Sequence, residues 1–185
     1  MKNSIEKILP VLLCACILMP SCSKESVKTL YSTQETRIES FINSQTAANP
    51  EARLVSKGGV QRLVLTEGSG DSLRTDGNIA FWWAGYVMSG STLSSGNLFG
   101  TNSPDIAEQA GWENLDPSVF RIETLNLGEA DLIPGLKQGL PGVKGGEECI
   151  ILFSGQYGYG NKALGTIPAN AALAYHIWVE SISNE

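Results

Sequence analysis

The sequence predicts an α+β domain in which strands predominate, and three observations predict it. Short apolar runs alternate with polar residues and are closed off by Gly, Pro, Asn or Asp, the pattern of half-buried strands. Only one stretch within that series, Ile133 to about Gly142, carries helical spacing. A second helical pattern stands ahead of the first strand, where Ile38, Phe41 and Ile42 recur on one face. With 185 residues, 42% hydrophobic and 17% charged, the chain is long enough to bury one core and too short to be expected to hold two.

The chain begins "MKNSIEKILPVLLCACILMPSC", with Lys2 and Lys7 flanking an apolar run, Ile8 to Met19, too short to span a bilayer as a finished helix. Residues 1–21 therefore read as an export signal rather than a fold element. The run ends in small Ser21 followed by Cys22, which resembles the bacterial lipoprotein cleavage box, with Met19 and Pro20 standing where leucine and a small residue are usual. That resemblance implies a mature chain that starts at Cys22, carries lipid there and is anchored to a bacterial membrane, with the outer membrane, facing periplasm or surface, as the expected place. Cys14 and Cys16 would leave with the signal and Cys22 would be lipidated, so Cys149 has no partner and a disulfide framework is excluded.

Residues 22–58 read as a tether and a helix. Ser32 and Glu35 fit a capping box, which predicts a helix from about Thr33 to Ser44. Such a helix either packs on its own domain or serves as a docking or dimerisation arm. The polar run "NSQTAANPEAR" then leads to a domain expected over 59–185.

Within that domain "GVQRLVLT" is the first strand and "NIAFWWAGYV" the second, separated by a turn at Gly68 to Asp71. The segment "GNLFGTNSPDIAEQAGWENLDP", 96–117, is irregular. Its Phe99 and Trp112 are open to two readings, a cover or partner surface beside a cleft, or an ordinary self-packed loop. "FRIETLNLG" is a third strand, "EECIILF" a fourth and "AALAYHIWVESI" a fifth. Between the third and fourth, Pro134 suits the first turn of a helix because its missing N–H had no partner there. Gly135 and Gly139 keep one side of that helix bare, Leu136 and Leu140 give it an apolar face, and Pro141 with Gly142 ends it.

A net charge of −6, with lysines and arginines scattered singly, excludes a nucleic-acid surface, which needs clustered cations. Neither a Ser/His/Asp set nor His/Cys spacing for a metal is found, so no metal and no cofactor are expected. Cys149 lies in a strand and reads as a buried structural thiol. The single histidine, His176, lies in a strand as well.

The ordered series "LGEADLIPGLKQGLPGVKGGEECIILFSGQYGYGNKALGTIPANAALAYHIWVESI" resembles the FKBP-type peptidyl-prolyl cis-trans isomerases. It reproduces that family's leucine-glycine, isoleucine-proline-glycine helix entry, glycine-rich exit, tyrosine-x-tyrosine-glycine loop and isoleucine-proline-x-asparagine. "FWWAGYVMSGSTLSS" follows the family more loosely. The resemblance implies an FKBP-like fold, a strongly curved antiparallel sheet of about five strands wrapped on one short helix. By position it places Trp83, Leu93, Ser94, Leu132, Ile133, Leu136, Tyr159, Ile167 and Tyr175 around a bound proline. In the family the backbone N–H at the Ile133 position and the hydroxyl at the Tyr159 position bind ligand carbonyls. Trp83 replaces a tyrosine, Ser94 an aspartate, Leu136 the floor tryptophan and Tyr175 a phenylalanine.

An X–Pro bond turns over a barrier of roughly 18–20 kcal/mol because the planar amide is resonance-stabilised. The twisted transition state has lost that resonance, so an apolar, water-poor site favours it without nucleophile, metal or acid–base pair. The sequence thus leads to a membrane-tethered prolyl isomerase that assists the folding of exported proteins, with unfolded or extended proline-containing chains as partners. The alternative is a weakly catalytic or inactive binding module using the same cleft, which Ser94 and Leu136 favour.

Overall fold

Two glycines set up the first hairpin of the sheet. Gly58 and Gly59 both take positive φ, 57° and 87°, the pairing that a two-residue type I′ turn requires. They join β1 (Arg53–Lys57) to β2 (Val60–Thr66), with Lys57 opposite Val60. The computed structural model describes residues 21–185, with side chains from Lys24 onward; the expected export signal lies outside them except for Ser21, as does the Cys22 side chain.

The remaining elements are β3 (Asn78–Val87), β4 (Leu98–Thr101), α2 (Pro104–Gln109), β5 (Glu123–Asn126), α3 (Pro134–Gly139), β6 (Glu148–Phe153) and β7 (Leu173–Ser183), all preceded by α1 (Ser21–Ala48). Among the described residues the strands form one seven-stranded antiparallel sheet in the order β1-β2-β6-β7-β3-β4, with β5 paired to the start of β3. The expected five strands are all present, and β1 and β4 are additions. β1 was illegible because its side chains are nearly all exposed, so no alternation marks it. β4 has only four residues, one of them Gly100.

The sheet has a core on each face. One face gathers Val60, Val64, Ile79, Phe81, Cys149, Ile151, Phe153, Leu173, Tyr175, Ile177 and Val179 against α3 and its flanks. Helix α3 lies almost on the strands: a Cβ at Gly135 would come within 2.4 Å of the Phe153 ring, and one at Gly139 within 2.4 Å of Ile151. The buried Arg62 guanidinium holds the end of α3, donating to the Gly139 and Pro141 carbonyls at 2.9 and 3.1 Å. As expected from sequence, Pro134 is in the first helical turn, and the chain turns away at Gly142, where φ is +93°.

The other face takes α1. Ile38, Phe41 and Ile42 pack on Leu63, Ile150, Leu152 and Ala174. This helix is longer than the predicted Thr33–Ser44 stretch, running from Ser21 to Ala48. The capping box at Ser32 and Glu35 does not form, because the helix continues through it and the Ser32 carbonyl instead accepts from the Thr36 hydroxyl at 3.2 Å. Among the described residues no helix is long and apolar enough to cross a membrane.

Candidate functional site

Alternation along β3 and β7 turns Phe81, Trp83 and Val87 from one strand, and Leu173, Tyr175 and Ile177 from the other, toward the face that α3 covers. Tyr175 becomes the centre of an aromatic set. Its ring centroid lies 5.9 Å from Trp83 at 44°, 5.6 Å from Phe99 nearly edge-on at 75°, and 6.0 Å from Phe153 at 19°. Two glycines opposite each other, Gly85 on β3 and Gly100 on β4, give the rings room. A Cβ at Gly85 would sit 2.4 Å from Phe99, and one at Gly100 would sit 3.1 Å from Trp83.

Trp83 is anchored at both ends. Its indole N–H donates to Glu123 at 2.9 Å and its backbone N–H to the Asn102 side chain at 2.6 Å. The buried Asn102 amide in turn donates to the Phe81 and Arg121 carbonyls, tying the 96–117 segment to β3. That segment is therefore less irregular than expected, since it contains β4 and α2, the latter capped by the Ser103 side chain, which accepts from the Ile106 N–H. Phe99 belongs to the aromatic set. Trp112 does not: it is 36% exposed and meets Phe120 at 6.5 Å.

The loop between β6 and β7 brings Tyr159 and Ile167 to the same cluster, and the entry to α3 brings Leu132, Ile133 and Leu136. Ile133 has extended backbone, φ −61° and ψ 152°, as Pro134 demands of the residue before it. Its carbonyl accepts from Leu136 and Lys137, while its N–H has no acceptor among the described residues. Burial, together with the neighbouring Tyr159 hydroxyl, pushes the Tyr175 hydroxyl far above the ordinary tyrosine range, so it stays protonated.

Seven of the nine residues named from sequence thus converge: Trp83, Leu132, Ile133, Leu136, Tyr159, Ile167 and Tyr175. Two do not. Leu93 packs on the opposite face of the sheet, beside Tyr86 and the α1 core. Ser94 is exposed, its side chain makes no capping bond, and its carbonyl accepts from Asn97. The physical reason is the path of the chain, which leaves β3 at Val87 with Met88 bonded to Ala172 and crosses to the other face before it returns in β4. Phe153, conversely, escaped notice as a site residue although the alternation Cys149, Ile151, Phe153 already put it on the inner face.

Cys149 is fully buried, and desolvation, reinforced by the nearby Glu147, raises its thiol well above its ordinary value, which makes it inert as a nucleophile. His176 lies on the outer face, stacked on Trp178 at 3.9 Å and 2.8 Å from Glu148, away from the aromatic set. Among the described residues no group of His, Cys, Asp and Glu could hold a metal ion. What the arrangement offers is an apolar aromatic bed whose Trp83 indole is held by Glu123, the hydroxyls of Tyr159 and Tyr175, and an Ile133 N–H with no acceptor among the described residues.

Residues 118–180 match the family model of FKBP-type peptidyl-prolyl cis-trans isomerases. The chain is 28% identical to FK506-binding protein 1 of Aspergillus oryzae over 119 residues, 64% of this chain and 94% of that protein. Its fold is that of FkpA from Escherichia coli, with a TM-score of 0.56 at 15% identity over 88% of this chain, which spans 65% of the longer bacterial chain. It is also that of a peptidyl-prolyl cis-trans isomerase from Pseudomonas syringae, with a TM-score of 0.57 at 16% identity over 85% of this chain and 96% of that one.

Proposed function

We propose that the FKBP-type peptidyl-prolyl cis-trans isomerase domain carried by this chain turns X–Pro bonds in extended or unfolded polypeptides, and that it does so while tethered to a membrane through lipid on Cys22. The observation that carries the catalytic reading is the union, in one apolar cluster, of the Trp83–Tyr175–Phe99 rings with Tyr159, Ile167 and the unpaired Ile133 N–H.

In this reading the prolyl ring rests on the aromatic bed, and the Ile133 N–H and the Tyr159 hydroxyl hold carbonyls of the bound chain. The remaining contacts are apolar, so the amide meets little water as it twists and loses its charge separation. A planar ground state gains nothing from such surroundings, and the barrier falls. Ser94, which stands where the family has an aspartate, lies outside the cluster, and Leu136 is smaller than an indole. These features favour a modest rate, and they are what support the second reading, a binding module for proline-containing segments.

A protease-coupled isomerisation assay on the chain lacking residues 1–22 separates the two. Acceleration over the uncatalysed rate supports the enzyme; binding of a proline peptide without acceleration supports the module. The tether rests on Ser21–Cys22 following an apolar run. Cys22→Ser should release the protein from the membrane fraction, and mass spectrometry showing an unmodified Cys22 on the exported native chain would end that part of the proposal. A role in folding exported proteins follows from the two together.

A further inference from the structure

Helix α1 touches the site loop through polar atoms that are buried at Gln34 and Gly155 and half-buried at Tyr31 and Asn170. Tyr31, Gln34, Ile38, Phe41 and Ile42 fall at helical spacing on one stripe. The last three supply the apolar anchor on the sheet. One and two turns earlier, the same stripe reaches the loop between β6 and β7. The Gln34 side chain, 4% exposed, uses both ends of its amide: Oε1 accepts from the Gly155 N–H at 2.9 Å and Nε2 donates to the Asn170 carbonyl at 2.6 Å. Tyr31 donates to the Asn170 side chain at 2.7 Å.

These contacts close a circuit. Gly155 opens the loop and its carbonyl accepts from Gly160 at 3.2 Å; the Gly160 carbonyl accepts from Asn170 at 2.5 Å; the Asn170 carbonyl accepts from Gln34, which returns to Gly155. Tyr159 lies inside that circuit, one residue from Gly160, and Ile167 lies just before its far end. Two features show that the closure is demanding. Asn170 has φ +58°, a left-handed conformation that few non-glycine residues adopt. A Cβ at Gly155 would come within 2.2 Å of the Asn170 carbonyl oxygen, so the two loop ends are in backbone contact. Without Gln34 a buried N–H and a half-buried carbonyl would each lose a partner at the point where the loop is pinched.

We propose that Gln34, assisted by Tyr31, is a positioning residue of the isomerase: α1 clamps the two ends of the loop and so fixes where Tyr159 and Ile167 stand in the cleft. The proposal rests on the reading of those two residues as groups that meet the prolyl segment. It makes α1 a working part of the site, where the sequence suggested only a helix packed on its own domain or an arm.

The test uses the full chain. Gln34→Met keeps the shape and apolar packing of the side chain and removes both amide bonds; Tyr31→Phe removes one hydroxyl. In Gln34→Met, kcat/KM for a proline peptide should fall by about tenfold, since small misplacements of binding groups are costly, and amide exchange at Tyr159, Gly160 and Asn170 should accelerate while that at Ile151 and Ile177 is unchanged. Tyr31→Phe should move both readouts the same way and less. Ile42→Val serves as the control for stability, weakening the same helix without touching the clamp, and should leave kcat/KM and loop exchange unaltered at an assay temperature where all variants are folded. Turnover within twofold of the native chain with unchanged loop exchange overturns the clamp, as does acceleration spread evenly over loop and strands. If the native chain turns over no proline peptide, the isomerase reading fails instead, and the clamp is then judged on loop exchange and on the affinity for the peptide.

Discussion

Arg62 and Glu147 meet in the interior, Nε to Oε1 at 3.5 Å, with only 7% and 1% of their side chains exposed. The same guanidinium bonds the last carbonyls of α3, so one cation serves both a buried carboxylate and the end of the helix that carries Ile133 and Leu136. Burial raises the Glu147 carboxyl above its ordinary range despite the pull of Arg62.

Removing one partner of such a pair leaves the other charge buried and alone. Arg62→Met should therefore destabilise the domain by about 3–5 kcal/mol in urea denaturation. The double variant Arg62→Met with Glu147→Gln should recover a substantial part of that loss, because the stranded charge is gone. A double variant no better than the single one would mean that the helix-end bonds of Arg62, and not the ion pair, account for the cost.

The packing of α3 gives a second prediction. Gly135→Ala places a methyl group 2.4 Å from the fully buried Phe153 ring, which has nowhere to go. Overpacking of this kind costs about 1–3 kcal/mol, even though alanine is the better helix former. A thermal melt showing stabilisation would mean that α3 can lift off the sheet without penalty.

His176 offers a pH dependence. Burial lowers its pKa below the ordinary histidine value, with Glu148 opposing the shift. The folded state then binds its proton less readily than the unfolded chain does, so the contribution of His176 is complete above about pH 6.5 and fades as the pH falls toward the folded value. Denaturation midpoints should drop on acidification through that window, and His176→Phe, which keeps an aromatic ring against Trp178, should drop less. As the chain has a single histidine, its imidazole NMR titration is unambiguous. A midpoint at or above the ordinary value would reverse the sign.

At the site, Tyr159→Phe should weaken binding of a proline peptide by about 0.5–1.5 kcal/mol, the worth of one net hydrogen bond. The ring stays, so the cluster should remain packed. Titration of both proteins by calorimetry measures the difference, and equal affinities would return Tyr159 to a structural role.

Much of this was written along the chain. Alternation in "NIAFWWAGYV", "EECIILF" and "AALAYHIWVESI" marks the three central strands because each buries both faces or one, and burial imposes a period of two. The helix entry at Ile133–Pro134 and its bare glycines are equally legible, since proline and glycine act through backbone geometry that needs no tertiary context. The exposed β1 and the four-residue β4 left no periodic mark, because solvent accepts almost any side chain and a short strand borrows its order from the strand it pairs with.

The sequence by itself determined the class of fold, the inner face of the sheet and a set of residues able to line an apolar cleft, all of which follow from local periodicity and backbone chemistry. Only the tertiary structure decided which of them meet. Position in a motif put Leu93 and Ser94 beside Trp83, yet the turn after Val87 carries Leu93 through to the far core and leaves Ser94 in solvent. No spacing announced that Phe99 and Phe153 would share Tyr175, or that Gln34 would bond Gly155 and Asn170, residues 121 and 136 positions away. Such contacts depend on how two distant segments are brought together by the collapse of a common core, and that is a property of the packed chain rather than of any stretch of it.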